Sequence, residues 1–277
     1  MYLRPTDLAA ALSALKGRSW AVLAGGTDFY PARVGAPLPA DILDITALPG
    51  LGGVREEAAG YRIGALATWS EVLATPLPKV FDGLKLAARE IGGRQVQNAG
   101  TLAGNLCNAS PAADGIPALL ALDAEVELSA HDGLRRLPLR AFAAGGRRTV
   151  LRPEELLTAI LVPHWGAQAR STFCKLGARR YLVISIVMVA ATLEAGADGT
   201  VARAAVAVGA CSEVAKRLAT LEAKLLGKLL APALADLVQP DDLTSLTPIS
   251  DIRGSAEYRR DAALTLVRRA LVELGRE

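Results

Sequence analysis

The sequence predicts an α+β protein built in two parts. Short helix and strand patterns alternate through roughly the first 165 residues. After about residue 166 three apolar strand patterns follow one another and then give way to helices, the order of an α+β domain. The chain has 277 residues and a hydrophobic fraction of 51%, enough for two domains with a substantial core.

The elements can be taken in turn. Residues 6–16 read as a helix, with Leu8, Leu12 and Leu15 on one face, Thr6 as its cap and Gly17 at its end. Ser19–Ala24 reads as a buried strand running into Gly25-Gly26, and Ile42–Ile45 as a second strand, which closes a small α/β unit at about residue 52. A second unit, 53–165, starts with a strand at Tyr61–Leu66. Thr68-Trp69-Ser70-Glu71 matches a capping box, and 78–91 form a helix striped by Val80, Leu84, Ala87, Ala88 and Ile91. Gly92 to Gly115 shows little periodicity and reads as one long loop, a type that usually carries function. Helix and strand follow over 116–129, and a strand at Leu156–Val162. In the second part, 166–277, strands are expected at 172–177, 182–194 and 200–210, with Gly196–Gly199 as the turn of a meander. Helices are expected at about 213–227, 231–238 and 255–274.

Composition excludes several function classes. Lysine and arginine total 31 against 28 acidic residues, a balance of +3 that makes no case for nucleic-acid binding. Cys107, Cys174 and Cys211 lie far apart, too few for a four-thiolate iron–sulfur cluster and poorly suited to a disulfide framework. A reducing, cytoplasmic location is expected. No secretory leader is read at Met1–Thr6, and the longest apolar run, Leu182–Leu193, is too short to span a bilayer. His131 and His164 lack metal-ligand spacing and read as surface or capping residues.

Two glycine-rich stretches carry the chemistry. In Ala24-Gly25-Gly26-Thr27-Asp28 a strand runs into two glycines, which lets the backbone turn sharply and present bare N–H groups to phosphate oxygens. The pattern is not GxGxxG, and on its own it is more often an ordinary tight turn. The second stretch, Gly100-Thr-Leu-Ala-Gly104-Asn105, runs on through Asn108 and Ser110 to Asp114. Its bland alternative is a polar loop capping a helix that starts near Pro111, with Asp114 complementing the dipole. Two such loops suit a dinucleotide, whose pyrophosphate and sugars can be cradled from both sides.

AGGTD at 24–28, TLAGNLCNASPAAD at 101–114 and PISDIRGSAEYRR at 248–260 together resemble the FAD-binding medium subunit of the xanthine dehydrogenase and carbon monoxide dehydrogenase family, over essentially the whole chain. The resemblance implies a two-subdomain, PCMH-like FAD domain over 1–165 and a C-terminal antiparallel sheet with helices that covers the flavin edge. It implies that Leu23, Ala24, Gly25, Gly26, Thr27, Asp28 and Phe29 form the first phosphate-facing loop, and that Thr101, Gly104 and Asn105 form the second. Asp114 matches a family aspartate on the flavin side of the cofactor, and Leu157 and Lys175 match positions lining the isoalloxazine ring. The implied partners are a large molybdopterin-binding subunit, a small subunit with 2Fe–2S clusters, and an electron acceptor, NAD or another.

Three departures and ambiguities remain. Leu102-Ala103 stands where Ile-Gly is commoner, and Tyr181 lies in the region where some relatives stack a tyrosine on the flavin. The branch that reduces aromatic thioesters carries an extra cysteine insertion, which this chain lacks. Lys175 read without the resemblance is a solvent-facing lysine at a strand end. The 248–260 stretch reads as helix-start capping by Ser255 with Glu257 in the first turn. A self-contained flavin oxidoreductase and a nucleotide-binding assembly subunit without redox function are the competing classes.

Overall fold

The computed structural model describes Met1–Arg276. Its first unit is a three-stranded parallel sheet in which β3 (Ile42–Asp44) lies between β1 (Tyr2–Leu3) and β2 (Ala21–Leu23). Helix α1 (Leu8–Leu15) buries Ala11, Leu12 and Leu15 against Leu43, Ile45 and Leu48. Its cap is Asp7, whose carboxylate accepts the Ala10 N–H at 2.8 Å, so the expected cap at Thr6 is off by one residue. Gly17, at φ +77°, ends the helix as expected.

The second unit is a five-stranded antiparallel sheet. Its strands are β4 (Val54–Glu57), β5 (Gly60–Gly64), β6 (Glu125–Ala130), β7 (Gly133–Pro138) and β10 (Leu156–Pro163), ordered β4-β5-β10-β6-β7. A small hairpin of β8 (Ala143–Gly145) and β9 (Arg148–Thr149) precedes β10. Between β5 and β6 run α2 (Trp69–Ala74), α3 (Asp82–Glu90), α4 (Arg94–Ala99), α5 (Leu102–Asn108) and α6 (Gly115–Ala121). The Thr68–Glu71 capping box forms in full. The long loop expected over 92–115 is not a loop. It holds α4, whose polar sequence offers no stripe, and α5, whose single turn of Leu102, Ala103 and Leu106 is too short to read as one.

The last sheet orders its strands β11 (Ala169–Leu176), β12 (Val187–Ala195), β13 (Val201–Gly209) and β14 (Lys216–Arg217) as an antiparallel meander. The strand expected from 182 begins only at Val187, and Leu182, at φ +52°, lies in the segment before it. One face of this sheet, with Phe173, Met188, Ala190 and Ala207, joins the apolar cluster of α3 and α6. The opposite face, with Val187, Val189, Ala191 and Val208, is covered by α7 (Ala219–Leu225) and α8 (Ala256–Arg276). One continuous core therefore runs from the second sheet through α3 and α6 into the third. The seam also carries charge: Asp123 receives Arg203 at 2.6 Å and Arg217 at 2.5 Å. Arg203 also lies 3.6 Å from the centroid of the Trp165 ring. No helix among the described residues is long and apolar enough to cross a membrane.

On the outer face of β6, Glu127 is 3% exposed and takes Arg62 at 2.5 Å, Arg136 at 2.8 Å and Thr158 Oγ1 at 3.0 Å. The Arg62 guanidinium above all holds its pKa down to about 2, from 4.5. A depressed carboxylate stabilises the fold above its ordinary pKa and loses that contribution as pH falls through the folded value. The shift corresponds to about 3 kcal/mol. Glu127→Gln is expected to lower unfolding stability by about that amount near neutral pH, with the gap closing as pH falls from about 4.5 toward 2. Denaturant unfolding at a series of pH values checks this, and a gap independent of pH contradicts it.

Candidate functional site

The first loop begins where β2 ends at Leu23. The backbone N–H groups of Gly25 through Phe29 donate no hydrogen bond within the described residues, leaving five consecutive donors free. Gly26 adopts φ +74°, a conformation that side chains resist, and a Cβ there would meet the Tyr30 ring at 2.9 Å. Gly25 is a glycine for a different reason. A Cβ on it would collide with the carbonyl of Ala99, at the end of α4. The sequence suggested that both glycines serve a turn and phosphate access; the structure shows Gly25 letting the two loops touch. Thr27 Oγ1 faces Gly100 across the same contact.

The second loop is the link between α4 and α5. It is pinned to the start of α2 by the Thr68–Thr101 bridge, with Trp69 N–H on Gly100 O at 3.2 Å and Leu102 N–H on Ala67 O at 3.1 Å. The Thr101 hydroxyl accepts the Gly104 N–H at 3.0 Å, so this threonine caps α5. The Asn105 side-chain oxygen is buried and has no partner among the described residues. At the far end of α5 Asn108 accepts the Arg147 guanidinium at 2.9 Å. The Arg147 N–H meets Ala109 O, and both Ala109 and Arg147 are left-handed.

These loops open onto a cleft of about 690 Å³. Of the residues singled out in the sequence, Ala24 to Phe29, Thr101, Gly104, Asn105, Asp114, Leu157 and Lys175 all line it; Leu23 is buried behind the loop and does not. Leu157 comes from β10 at a bulge between Leu157 and Ala159, an irregularity of the kind that re-aims side chains.

Asp114 stands at the N-cap position of α6, yet its side chain caps nothing. It accepts Lys175 Nζ at 2.6 Å and the Ser185 hydroxyl at 2.5 Å, so it makes no capping hydrogen bond although its place at the helix start still suits the dipole. Burial pushes its carboxyl above the usual carboxylate range, while Lys175 pulls the other way. The Lys175 side chain is 7% exposed, so the solvent-facing alternative fails too. Asp114 belongs to the first half of the chain, Lys175 to β11 of the third sheet and Ser185 to the segment leading into β12, so the cleft is lined where these parts meet.

Other expected features lie elsewhere. Tyr181 is exposed and does not line the cleft; Val183 and Ile184 of the same loop do. His131 pairs with Ser13 at 3.3 Å and His164 with Glu57 O at 3.2 Å, both on the surface. The Ser255 hydroxyl accepts the Tyr258 N–H at 3.1 Å, as a helix cap should. Sequence reasoning missed Ile91, Arg147 and Ser185. Ile91 ends a readable stripe, but Ser185 has no local signal at all.

Two family descriptions match the chain: the FAD binding domain in molybdopterin dehydrogenase over residues 1–165, and the CO dehydrogenase flavoprotein C-terminal domain over residues 172–274. The chain is 31% identical to the glyceraldehyde dehydrogenase medium chain of Sulfolobus acidocaldarius, over 99% of this chain and 97% of the relative. It is 30% identical to the nicotine 6-hydroxylase medium subunit of Paenarthrobacter nicotinovorans, over 92% and 89%. Among solved structures it resembles the carbon monoxide dehydrogenase of Hydrogenophaga pseudoflava, with a TM-score of 0.86, 29% identity, and coverage of 99% and 96%.

The two glycines of the first loop should behave differently. Gly25→Ala forces the loops apart, because the obstacle is backbone, and should abolish flavin retention. Gly26→Ala meets only a tyrosine ring and a left-handed φ, a strain of roughly 1–3 kcal/mol, and should retain part of it. Flavin content and circular dichroism of the two variants check the order; equal retention contradicts it.

Proposed function

Since this chain belongs to the family of FAD-binding subunits of the molybdopterin dehydrogenases, we propose that it is the electron-relay subunit of a heterotrimeric molybdenum hydroxylase. Its partners are a large molybdopterin-binding subunit and a small 2Fe–2S subunit, and it passes electrons from the clusters to an external acceptor, NAD or another. The three free cysteines suit a reducing, cytoplasmic setting.

The observation that carries the reading is the donor set of the cleft. Five consecutive unpaired amides at Gly25–Phe29 match the charge of a pyrophosphate, and the orphaned Asn105 oxygen can accept a hydroxyl or amine hydrogen. The same cleft also carries the Leu157 side chain and the Asp114–Lys175 pair. The residues present therefore fit FAD.

When bound, FAD supplies a ring that takes up and returns electrons. The chain's own groups bind and tune. The free amides hold the phosphate oxygens, while Leu157 offers an apolar wall. Lys175 sets a positive charge that favours added electron density. Asp114 keeps that lysine in place, and Ser185 orients Asp114. The hydroxyl paired with Asp114, that of Ser185, is buried and does not line the cleft, and organic substrate chemistry falls to the molybdenum subunit.

The test is anaerobic. The purified chain should hold FAD and bleach with dithionite, yet leave its flavin oxidised when given purines, aldehydes or N-heteroaromatic compounds. Bleaching by one of these should appear only once the molybdenum and iron–sulfur subunits are added. Rapid substrate-dependent bleaching by the lone chain overturns the reading in favour of a self-contained flavoenzyme.

A further inference from the structure

The 248–260 stretch has so far only a helix cap to its credit. Its most buried member is Arg259, 3% exposed near the start of α8. Arg259 Nη1 donates to Ile186 O at 2.6 Å and to Ala210 O at 3.0 Å, and Nη2 pairs with Asp251 at 2.7 Å. The guanidinium thus ties the ends of two neighbouring strands, β12 and β13, to the turn 251–254. Gly254 of that turn faces Ile186, where a Cβ would lie 3.7 Å from the Ile186 side chain. A buried arginine with one partly exposed carboxylate partner is a costly way to fasten two carbonyls, and apolar packing would serve simple stability as well.

Ile186 is where the segment 177–185 rejoins the sheet, its N–H on Leu176 O at 2.8 Å. The next residue back is Ser185, 2% exposed, whose hydroxyl reaches Asp114. The segment's other end is the end of β11, which carries Lys175. A displacement of the Ile186 carbonyl therefore moves the Ser185 hydroxyl and, through Asp114, the lysine at the cleft floor.

We propose that Arg259 is a positioning residue for the cofactor cleft: its grip on the Ile186 carbonyl sets the Ser185–Asp114–Lys175 arrangement and so the affinity and electronic environment of the flavin. This rests on the FAD reading above. The buried PISDIRGSAEYRR arginine then acts at a distance, through one backbone carbonyl and one hydroxyl, without touching the cofactor.

A double-mutant cycle on the full chain tests it, with FAD titration into apoprotein and the visible flavin spectrum as readouts. Ser185→Ala should weaken FAD binding roughly tenfold, the loss of about one hydrogen bond to a charged group, and shift the flavin bands. Arg259→Lys keeps the charge but loses the fork. It should shift the bands in the same direction and weaken binding by a similar factor. The double variant should be no worse than the weaker single, where independent effects would multiply to roughly a hundredfold. Wild-type affinity and spectrum in Arg259→Lys, with only a lowered melting temperature, overturn the proposal, as do multiplying effects. Should Arg259→Lys not fold, Asp251→Asn carries the test: a several-fold weakening with the same spectral shift supports the proposal, and wild-type behaviour overturns it. Failure of the wild-type chain to bind FAD in the same titration sinks the FAD reading itself, which keeps the two outcomes distinct.

Discussion

The buried carboxylate of Asp114 is the constraint on which the site depends. It sits at the start of α6, in the first half of the chain, and its two oxygens are taken by Lys175, on β11 of the third sheet, and by Ser185, in the segment just ahead of β12. A buried carboxylate needs such partners, since an unpaired one would neutralise itself. The apolar cluster spanning the same seam and the Asp123–Arg203–Arg217 group do the bulk of the joining. Asp114 adds direction: it requires β11, the 177–185 segment and α6 to meet in one arrangement, and that arrangement is the floor of the cleft.

The glycine loops follow a similar logic with backbone in place of charge. The two glycine loops belong to different subdomains, and they meet because Gly25 has no Cβ to hold off the Ala99 carbonyl. The approach leaves the amides of Gly25–Phe29 without internal partners. Unsatisfied donors in sequence are unfavourable unless something else takes them, and the same cleft is also lined by Asn105, whose side-chain oxygen is unpartnered. A neutral ligand would leave that row of donors poorly matched, whereas an anionic dinucleotide uses it.

Much of this was legible in the chain and some of it could not be. The Thr68 box, the Leu156 strand and the Gly196–Gly199 turn depend on neighbours in sequence, and each formed as read. Edge strands such as β4, with the polar sequence Val-Arg-Glu-Glu, gave no alternation to detect. Helices α4 and α5 are held by tertiary contacts more than by their own stripes, so 92–115 read as a loop. In the site, Gly26 and Asn105 carried their signal in residue type. Ser185 did not, because its only distinction is a bond to a residue 71 positions away. Lys175, placed at the ring by resemblance, read from its own neighbours only as a surface lysine, and nothing in the sequence set Arg259 apart until its side chain was traced to two carbonyls.

Amide hydrogen exchange across 24–30 and 100–105, compared with and without saturating FAD, is the most direct measurement of the central claim. Free amides exchange quickly, and those taken by phosphate oxygens do not. The account predicts that FAD slows exchange at Gly25 through Phe29 strongly, with little change in the surface strands β4 and β7. Saturated FAD binding with unchanged exchange over 25–29 would contradict it, because the cofactor would then be held by some other surface of the protein.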